Sequence, residues 1–307
     1  MITPAYLKPG DAVTLISPAR FMDMGALAQF QDWVNEQGWI LRLAPFLGAQ
    51  LHQFGGSQSE RLSDIVWALN QTDIKAVFTA RGGYGCMQLL SELRKLDFVA
   101  KPKWWIGFSD ITAIHITLNQ QGLATMHGPM AMQFLEESKC SKTSRLALSD
   151  HLKGQELCLN VAADTSVIGQ PHYIGAESDR SFTGILWGGN LSMIFAMLAA
   201  GAKPPKGAIV LFVEDLDEYL YHIDRMLQAL YNSGILENTV AVVAGSMIDM
   251  HDNAIPFGKN AKEIVMEFCE MLKKPLIWGI PVGHSAENIA LKLGLDITFD
   301  GSTLKQN

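Results

Sequence analysis

The chain has 307 residues, 48% of them apolar and 18% charged, with a net charge of −7. Such apolar content excludes a disordered chain, and an acidic balance with no basic run argues against a nucleic-acid surface. Four scattered cysteines (Cys86, Cys140, Cys158, Cys269) make no C-x-x-C pair, so they read as free thiols in a reducing compartment. No signal-peptide pattern opens the sequence, and the longest apolar-rich segment, 191–202, is too short to span a bilayer. A cytoplasmic protein without membrane attachment is expected, and the length favours two domains.

In chain order, 12–16 is a short β-rich run that stops at Ser17-Pro18, and 24–37 has helical spacing closed by Gly38. A strand at 39–43, a Gly-rich loop at 52–57, a helix at 59–70 and a strand at 75–79 follow. Arg81-Gly82-Gly83-Tyr84-Gly85 then turns into a helix over 86–93. Runs at 104–108 and 123–126 complete a strand–helix alternation, which means βαβ units and a parallel sheet. Ligands then sit at the carboxyl ends of the strands, where 81–85 and 107–110 can face one crevice. The pattern loosens after Pro129, with short broken strands over 149–165. This gives an N-terminal α/β domain at 1–135, a crossover at 136–179 and a mixed α/β C-terminal domain at 180–307. Within the last, strands are expected at 181–186, 208–213, 239–244, 276–280, 289–293 and 296–299. Helices are expected at 191–200, 221–232 and 260–272, and 187–190 reads as a turn.

Chemistry concentrates at strand ends. Gly107-Phe108-Ser109-Asp110 follows an apolar strand and opens an amphipathic helix with Ile111, Ile114 and Leu118 on its face. A strand running into a helix through Gly-x-Ser displays a hydroxyl on a sharp turn beside free helix N–H groups. Ile111 stands where the usual G-x-S-x-G elbow has its second glycine, so an N-cap serine remains the alternative. The 81–85 loop matches no phosphate-binding pattern; its glycines suit either backbone donation to an oxyanion or a tight turn. Glu214 leads four carboxylates in five positions, of which Asp215, Asp217 and Glu218 read mostly as solvated charges. A metal site there, joined by His251 and Asp252, lacks convergent ligand spacing, and no metal or cofactor is expected. His284 lies in a polar turn between apolar runs, free for proton transfer. His127 is its competitor and His115 reads as structural. Ser109, Glu214 and His284 together supply a nucleophile, an orienting carboxylate and a base. Cys86, also after a Gly-rich turn, offers a rival cysteine-dependent, amidotransferase-like chemistry.

Seven blocks in order resemble the LD-carboxypeptidase family, serine peptidases of murein recycling. They are ARGGYG at 80–85, GFSDITA at 107–113, HGPM at 127–130, GGNL at 188–191, VED at 213–215, IDRML at 223–227 and GHSAEN at 283–288. The resemblance implies a flavodoxin-like N-terminal domain related to class I glutamine amidotransferases, a smaller C-terminal domain and a homodimer. It implies a Ser109–Glu214–His284 triad, with the Gly83 and Asp110 N–H groups as oxyanion donors. The implied reaction releases the terminal D-alanine of murein tetrapeptide. A branch of the family hydrolyses the peptide-nucleotide microcin C and stacks its base on tryptophan, for which Trp187 is the candidate here. Arg81 is the candidate for binding the substrate carboxylate.

Overall fold

A computed structural model of the chain describes residues 1–136, 139–162 and 170–306. The first half alternates strand and helix: β1 (Ala12–Ile16), α1 (Leu27–Glu36), β2 (Ile40–Leu43), α2 (Gln58–Asn70) and β3 (Ile74–Thr79). It continues with α3 (Leu90–Leu93), β4 (Trp104–Gly107), α4 (Thr112–Gln120) and β5 (Thr125–His127). These strands pair in parallel in the order β2-β1-β3-β4-β5. Local chemistry sets the helix starts. Ser57 and Glu60 form a reciprocal capping box at the head of α2, satisfying two of its orphan N–H groups.

The second half contains α5 (Lys142–Leu152), β6 (Leu157–Asn160), β7 (His172–Ile174), β8 (Phe182–Asn190), α6 (Leu191–Ala199), β9 (Ile209–Leu216) and α7 (Leu220–Asn232). Then come β10 (Thr239–Ile248), α8 (Ala261–Leu272), β11 (Leu276–Trp278), β12 (Leu291–Leu293), β13 (Asp296–Phe299) and β14 (Thr303–Gln306). The second sheet runs β6-β14-β13-β8-β9-β10-β11-β7, parallel from β8 to β11 and antiparallel towards both edges. β12 leaves this half and adds to the first sheet, antiparallel to β5. The crossover segment is not passive either, since β6 and β7 are the two edge strands of the second sheet. Residues 137–138 and 163–169 of that segment lie outside the described residues.

Among the differences from the sequence expectation, three in the second half bear on the site. Residues 142–152 form α5 because Ser141 caps it and Leu148 and Leu152 bury one narrow face; its many polar residues hide that periodicity. Residues 187–190 continue β8 and do not turn. A Cβ on Gly188 would stand 1.9 Å from the Phe212 carbonyl oxygen, and one on Gly189 would stand 2.7 Å from Thr112 Oγ1. The glycine pair therefore marks close packing. Finally, β9 runs on through Glu214 and Asp215 to Leu216, so both carboxylates belong to a buried strand.

α4 ties the halves together. Thr112 to Asn119 are all buried, a helix covered on every side where an amphipathic one was expected. Thr112 Oγ1 accepts the Asn190 N–H at 3.1 Å, and one continuous apolar cluster joins Ile114 and Leu118 to Trp187, Leu191 and Leu211 of the second half. The nucleophile candidate thus sits at the head of the helix on which both sheets pack.

Candidate active site

β4 is buried throughout and delivers the chain to Ser109 at its carboxyl end. Ser109 takes φ +62°, a left-handed conformation that costs a serine about 1–3 kcal/mol and is held by its surroundings. The sharp turn of a nucleophile elbow is therefore present although Ile111 replaces the second glycine. Gly107 is required sterically, since a Cβ there would lie 2.3 Å from Thr79 Oγ1 and 2.9 Å from Ile111. A short 3₁₀ turn, Ser109–Ile111, leads into α4. The 81–85 loop closes over it: a Cβ on Gly82 would come within 3.2 Å of Ser109 Oγ.

Buried groups fasten that loop from beneath. Arg61 of α2 donates to the carbonyls of Pro18 (2.7 Å) and Gly85 (3.0 Å) and to Gln88 Oε1 (2.6 Å). Asp110 Oδ2 accepts the Cys86 N–H at 2.8 Å. Burial pushes the Asp110 carboxyl above the usual range, against the pull of that bond and of the Arg61 and Arg20 charges. Sequence reading missed Arg61, because nothing in a helical arginine signals which carbonyls it will reach.

The second half supplies the facing wall. His284 Nδ1 lies 2.6 Å from Glu214 Oε2, and the Glu214 side chain is 0% exposed. A carboxylate only accepts, so Nδ1 carries the hydrogen and Nε2 is left for the cavity. The His284 N–H donates to Ser246 Oγ at 2.9 Å, the Gly283 N–H to Asn288 Oδ1 at 3.0 Å, and Phe108 packs edge-on to the ring. Gly283 makes the contact possible, since a Cβ there would be 2.8 Å from Glu214 Oε2. Burial pulls the imidazole pKa down, but the Glu214 charge and hydrogen bond outweigh it and hold His284 above the ordinary value.

Ser109, His284, Arg81, Gly82, Gly83 and Arg20 line one cavity of about 470 Å³. No hydrogen bond links Ser109 Oγ to His284 Nε2; such bonds are often long in free enzymes and tighten in the substrate complex. This arrangement of strand-end serine, buried carboxylate and imidazole coincides with two family models that cover most of the chain. The LD-carboxypeptidase N-terminal domain matches residues 13–128 and its C-terminal domain residues 183–299.

The chain belongs to the LD-carboxypeptidase family. Family membership makes it a peptidase-type hydrolase. The murein tetrapeptide carboxypeptidase of Pseudomonas aeruginosa is 29% identical over 298 residues, spanning 95% of this chain and 94% of that protein. Among solved structures, muramoyltetrapeptide carboxypeptidase from Oxalobacter formigenes superposes with a TM-score of 0.82 at 24% identity, covering 96% of this chain and 97% of that one. The microcin C7 self immunity protein MccF, in complex with aspartyl sulfamoyl adenosine, gives 0.83 at 19% identity over 99% and 98%. Both likenesses establish a mixed α/β two-domain LD-carboxypeptidase fold.

Several candidates are corrected by their placement. Trp187 is fully buried in the core that packs on α4, outside the cavity, so it offers no surface for stacking a base. Cys86 is fully buried too, and burial raises its thiol well above the usual value, the reverse of what a nucleophilic thiolate needs. His127 has no exposed surface and burial drives its pKa well below normal, which removes it as a competing base. His115 Nε2 meets the Gly107 carbonyl at 2.9 Å, pinning the end of β4.

Asp215 is not solvated. It is 2% exposed and accepts from Asn190 Nδ2, the Ser192 N–H and Ser192 Oγ, anchoring the start of α6. Burial raises its pKa to about 6, helped by the neighbouring Glu214. Glu218 bonds Ser192 and His222, and Asp217 bonds His251. Among the described residues no group of three His, Cys, Asp or Glu side chains is placed to hold a metal, and no helix is long and apolar enough to cross a membrane.

Proposed function

We propose that the chain is a serine-type LD-carboxypeptidase that releases the terminal D-alanine of murein tetrapeptide in peptidoglycan recycling. The observation that carries this reading is the 2.6 Å contact between His284 and the fully buried Glu214, in a cavity shared with Ser109. Nε2 of His284 takes the Ser109 proton as Oγ attacks the carbonyl of the bond between the L-centre and the D-residue. The N–H groups of Gly83 and Asp110 hold the oxyanion. Collapse of the tetrahedral species breaks the C–N bond, and the His284 proton goes to the leaving amine. Water then attacks the acyl-enzyme, its proton passing through His284 back to Ser109. Glu214 holds the tautomer and stabilises the imidazolium formed in each half.

The first-sheet order β2-β1-β3-β4-β5 supports a flavodoxin-like, class I glutamine amidotransferase-like assignment of the N-terminal domain. A cytoplasmic homodimer completes the reading; light scattering is expected to give twice 33.7 kDa, and a monomer would remove that part. A microcin C-type substrate loses its aromatic support with the burial of Trp187. The test is mass spectrometry of murein tetrapeptide incubated with the enzyme. Loss of one alanine from the terminal D-Ala peptide is expected, with the terminal L-Ala isomer spared and Ser109→Ala reduced to a small residual rate. Equal cleavage of both isomers, or a near-wild-type rate for Ser109→Ala, overturns the assignment.

A further inference from the structure

Arg20 lies in the loop after β1, at the same carboxyl edge of the first sheet that displays Ser109. Its backbone is fixed from two sides. The Arg20 N–H donates to Gly82 O at 3.4 Å, and Arg20 makes an antiparallel bridge to Phe54. Its side chain runs across Gly83: a Cβ on that glycine would stand 2.6 Å from Arg20 Cδ and 2.7 Å from Nε. The guanidinium is thus carried directly over the backbone of the proposed oxyanion loop.

The Nε of Arg20 is buried and meets no acceptor among the described residues. It thus has no bond to a described residue that would hold the head group away from an incoming anion. The charges around it agree. Arg20, Arg81 and Lys139 line the cavity and no aspartate or glutamate does. Lys139 is already paired with Glu136, whereas neither arginine enters an ion pair among the described residues. Asp110 is the carboxylate whose titration Arg20 influences, but its Oδ2 is bonded to the Cys86 N–H and no salt bridge joins the two. Phe108, Met130, Met132 and Leu216 add an apolar stretch of wall, with Gln133 the neutral polar side chain next to it.

We propose that Arg20, with Arg81 beside it, forms the subsite for the free carboxylate of the departing residue, and that Arg20 is the specificity-determining member. The guanidinium fork matches a carboxylate in a paired, charge-assisted geometry that a lysine ammonium cannot reproduce. A cation laid over Gly83 also counters the repulsion between that carboxylate and the oxyanion forming nearby. The apolar wall takes a short aliphatic side chain such as that of alanine. Gly83 then has a second role, because any side chain at that position would push Arg20 out of place.

This subsite rests on the carboxypeptidase reading, and the experiment separates the two. Wild type, Arg20→Lys and Arg20→Gln, checked for folding by circular dichroism, are assayed on murein tetrapeptide and on the same peptide with a C-terminal amide. For Arg20→Gln, kcat/KM on the acid should fall by about 10²-fold or more, as for loss of one partner of a buried charged contact. The amide should be cut at nearly the wild-type rate, so the acid-over-amide preference collapses. Arg20→Lys is expected between the two. Equal losses on acid and amide would mean that Arg20 only shapes the loop, and unchanged acid kinetics would remove it altogether; either overturns the subsite. Ligand-observed NMR with N-acetyl-D-alanine and its amide gives a readout free of turnover. Carboxylate-dependent binding that Arg20→Gln abolishes supports the subsite even if tetrapeptide is not cleaved, in which case the activity assignment alone fails. Binding indifferent to the carboxylate overturns the subsite.

Discussion

The two walls of the cavity are held by different physics. On the Ser109 side, the serine itself is set by shape: a left-handed backbone, a glycine at 107 with no room for a methyl, and the 81–85 loop pressed over the hydroxyl, with the Arg61 and Asp110 hydrogen bonds holding that loop from beneath and none reaching Ser109. On the His284 side, position comes from charge and hydrogen bonds, with Glu214, Ser246 and Asn288 each bonding the 283–284 turn. The wall that must hold a neutral atom in an unfavourable conformation uses sterics. The wall that must stabilise a changing charge uses a buried carboxylate. Substitutions on the first should therefore disturb geometry and stability without altering titration, and substitutions on the second should do the reverse.

The largest effect is expected at Glu214. Glu214→Gln keeps the packing but can present an amide N–H to the ring and favour the wrong tautomer, so kcat should drop by about 10³–10⁴. Because Glu214 holds the His284 pKa above the ordinary value, wild-type kcat/KM should fall on the acid side as His284 protonates. Removing the carboxylate should move that acid limb to lower pH for the residual activity. Combined with Ser109→Ala the loss should be far from additive, since triad members act as a unit. Rate–pH profiles of the three variants check this, and an unmoved acid limb would break the contrast between the walls.

A smaller effect is expected at Gly107. A methyl there meets Thr79 Oγ1 and Ile111 at 2.3 and 2.9 Å. Overpacking should cost about 1–3 kcal/mol in stability, and a shift of Ser109 near 1 Å should lower kcat about 10²-fold. The acid limb should stay where it is in wild type. Urea melts and the same pH–rate series decide the matter, and a displaced limb would show that this wall too acts through charge.

The smallest effect on rate is expected at Asp215, which follows Glu214 in β9 and lies outside the cavity. Its folded pKa of about 6 exceeds the ordinary 3.8, so the native state prefers the protonated form. That contribution to stability is complete below about pH 4 and is lost as pH rises through about 6. Asp215→Asn cannot titrate. Its unfolding free energy should lack this decline between pH 4 and 6, even though the start of α6 loses an acceptor. Denaturant titrations at several pH values measure both slopes, and parallel slopes would show that Asp215 plays no such part.

Much of the fold was legible because the first half is a plain alternation of apolar strands and helices, with Ser57 and Glu60 a local start signal for α2. Ser109 just past β4 and His284 in a polar turn were legible for the same reason, whereas Glu214 proved to lie within β9 and not at its end. What was not legible depends on contacts between distant segments. Gly188 and Gly189 look like a turn until Phe212 and Thr112 are seen against them. Asp215 looks solvated among three other carboxylates until Asn190 and Ser192 enclose it. Trp187 sits beside glycines, as a binding-loop residue would, yet it is core. Arg20 carried one usable signal, an arginine just past the carboxyl end of a strand, but its alignment over Gly83 is a tertiary fact.

The return of β12 to the first sheet bears on the order in which the molecule can be completed. A ribosome releases the 12–127 segment long before residues 291–293, and until those arrive β5 has an open edge. His284 emerges only a few residues ahead of that strand. The half carrying Ser109 thus stays both unsealed and without its proposed base until nearly the same moment of synthesis. Completion of the proposed triad and closure of the first sheet therefore fall at nearly the same point of the chain.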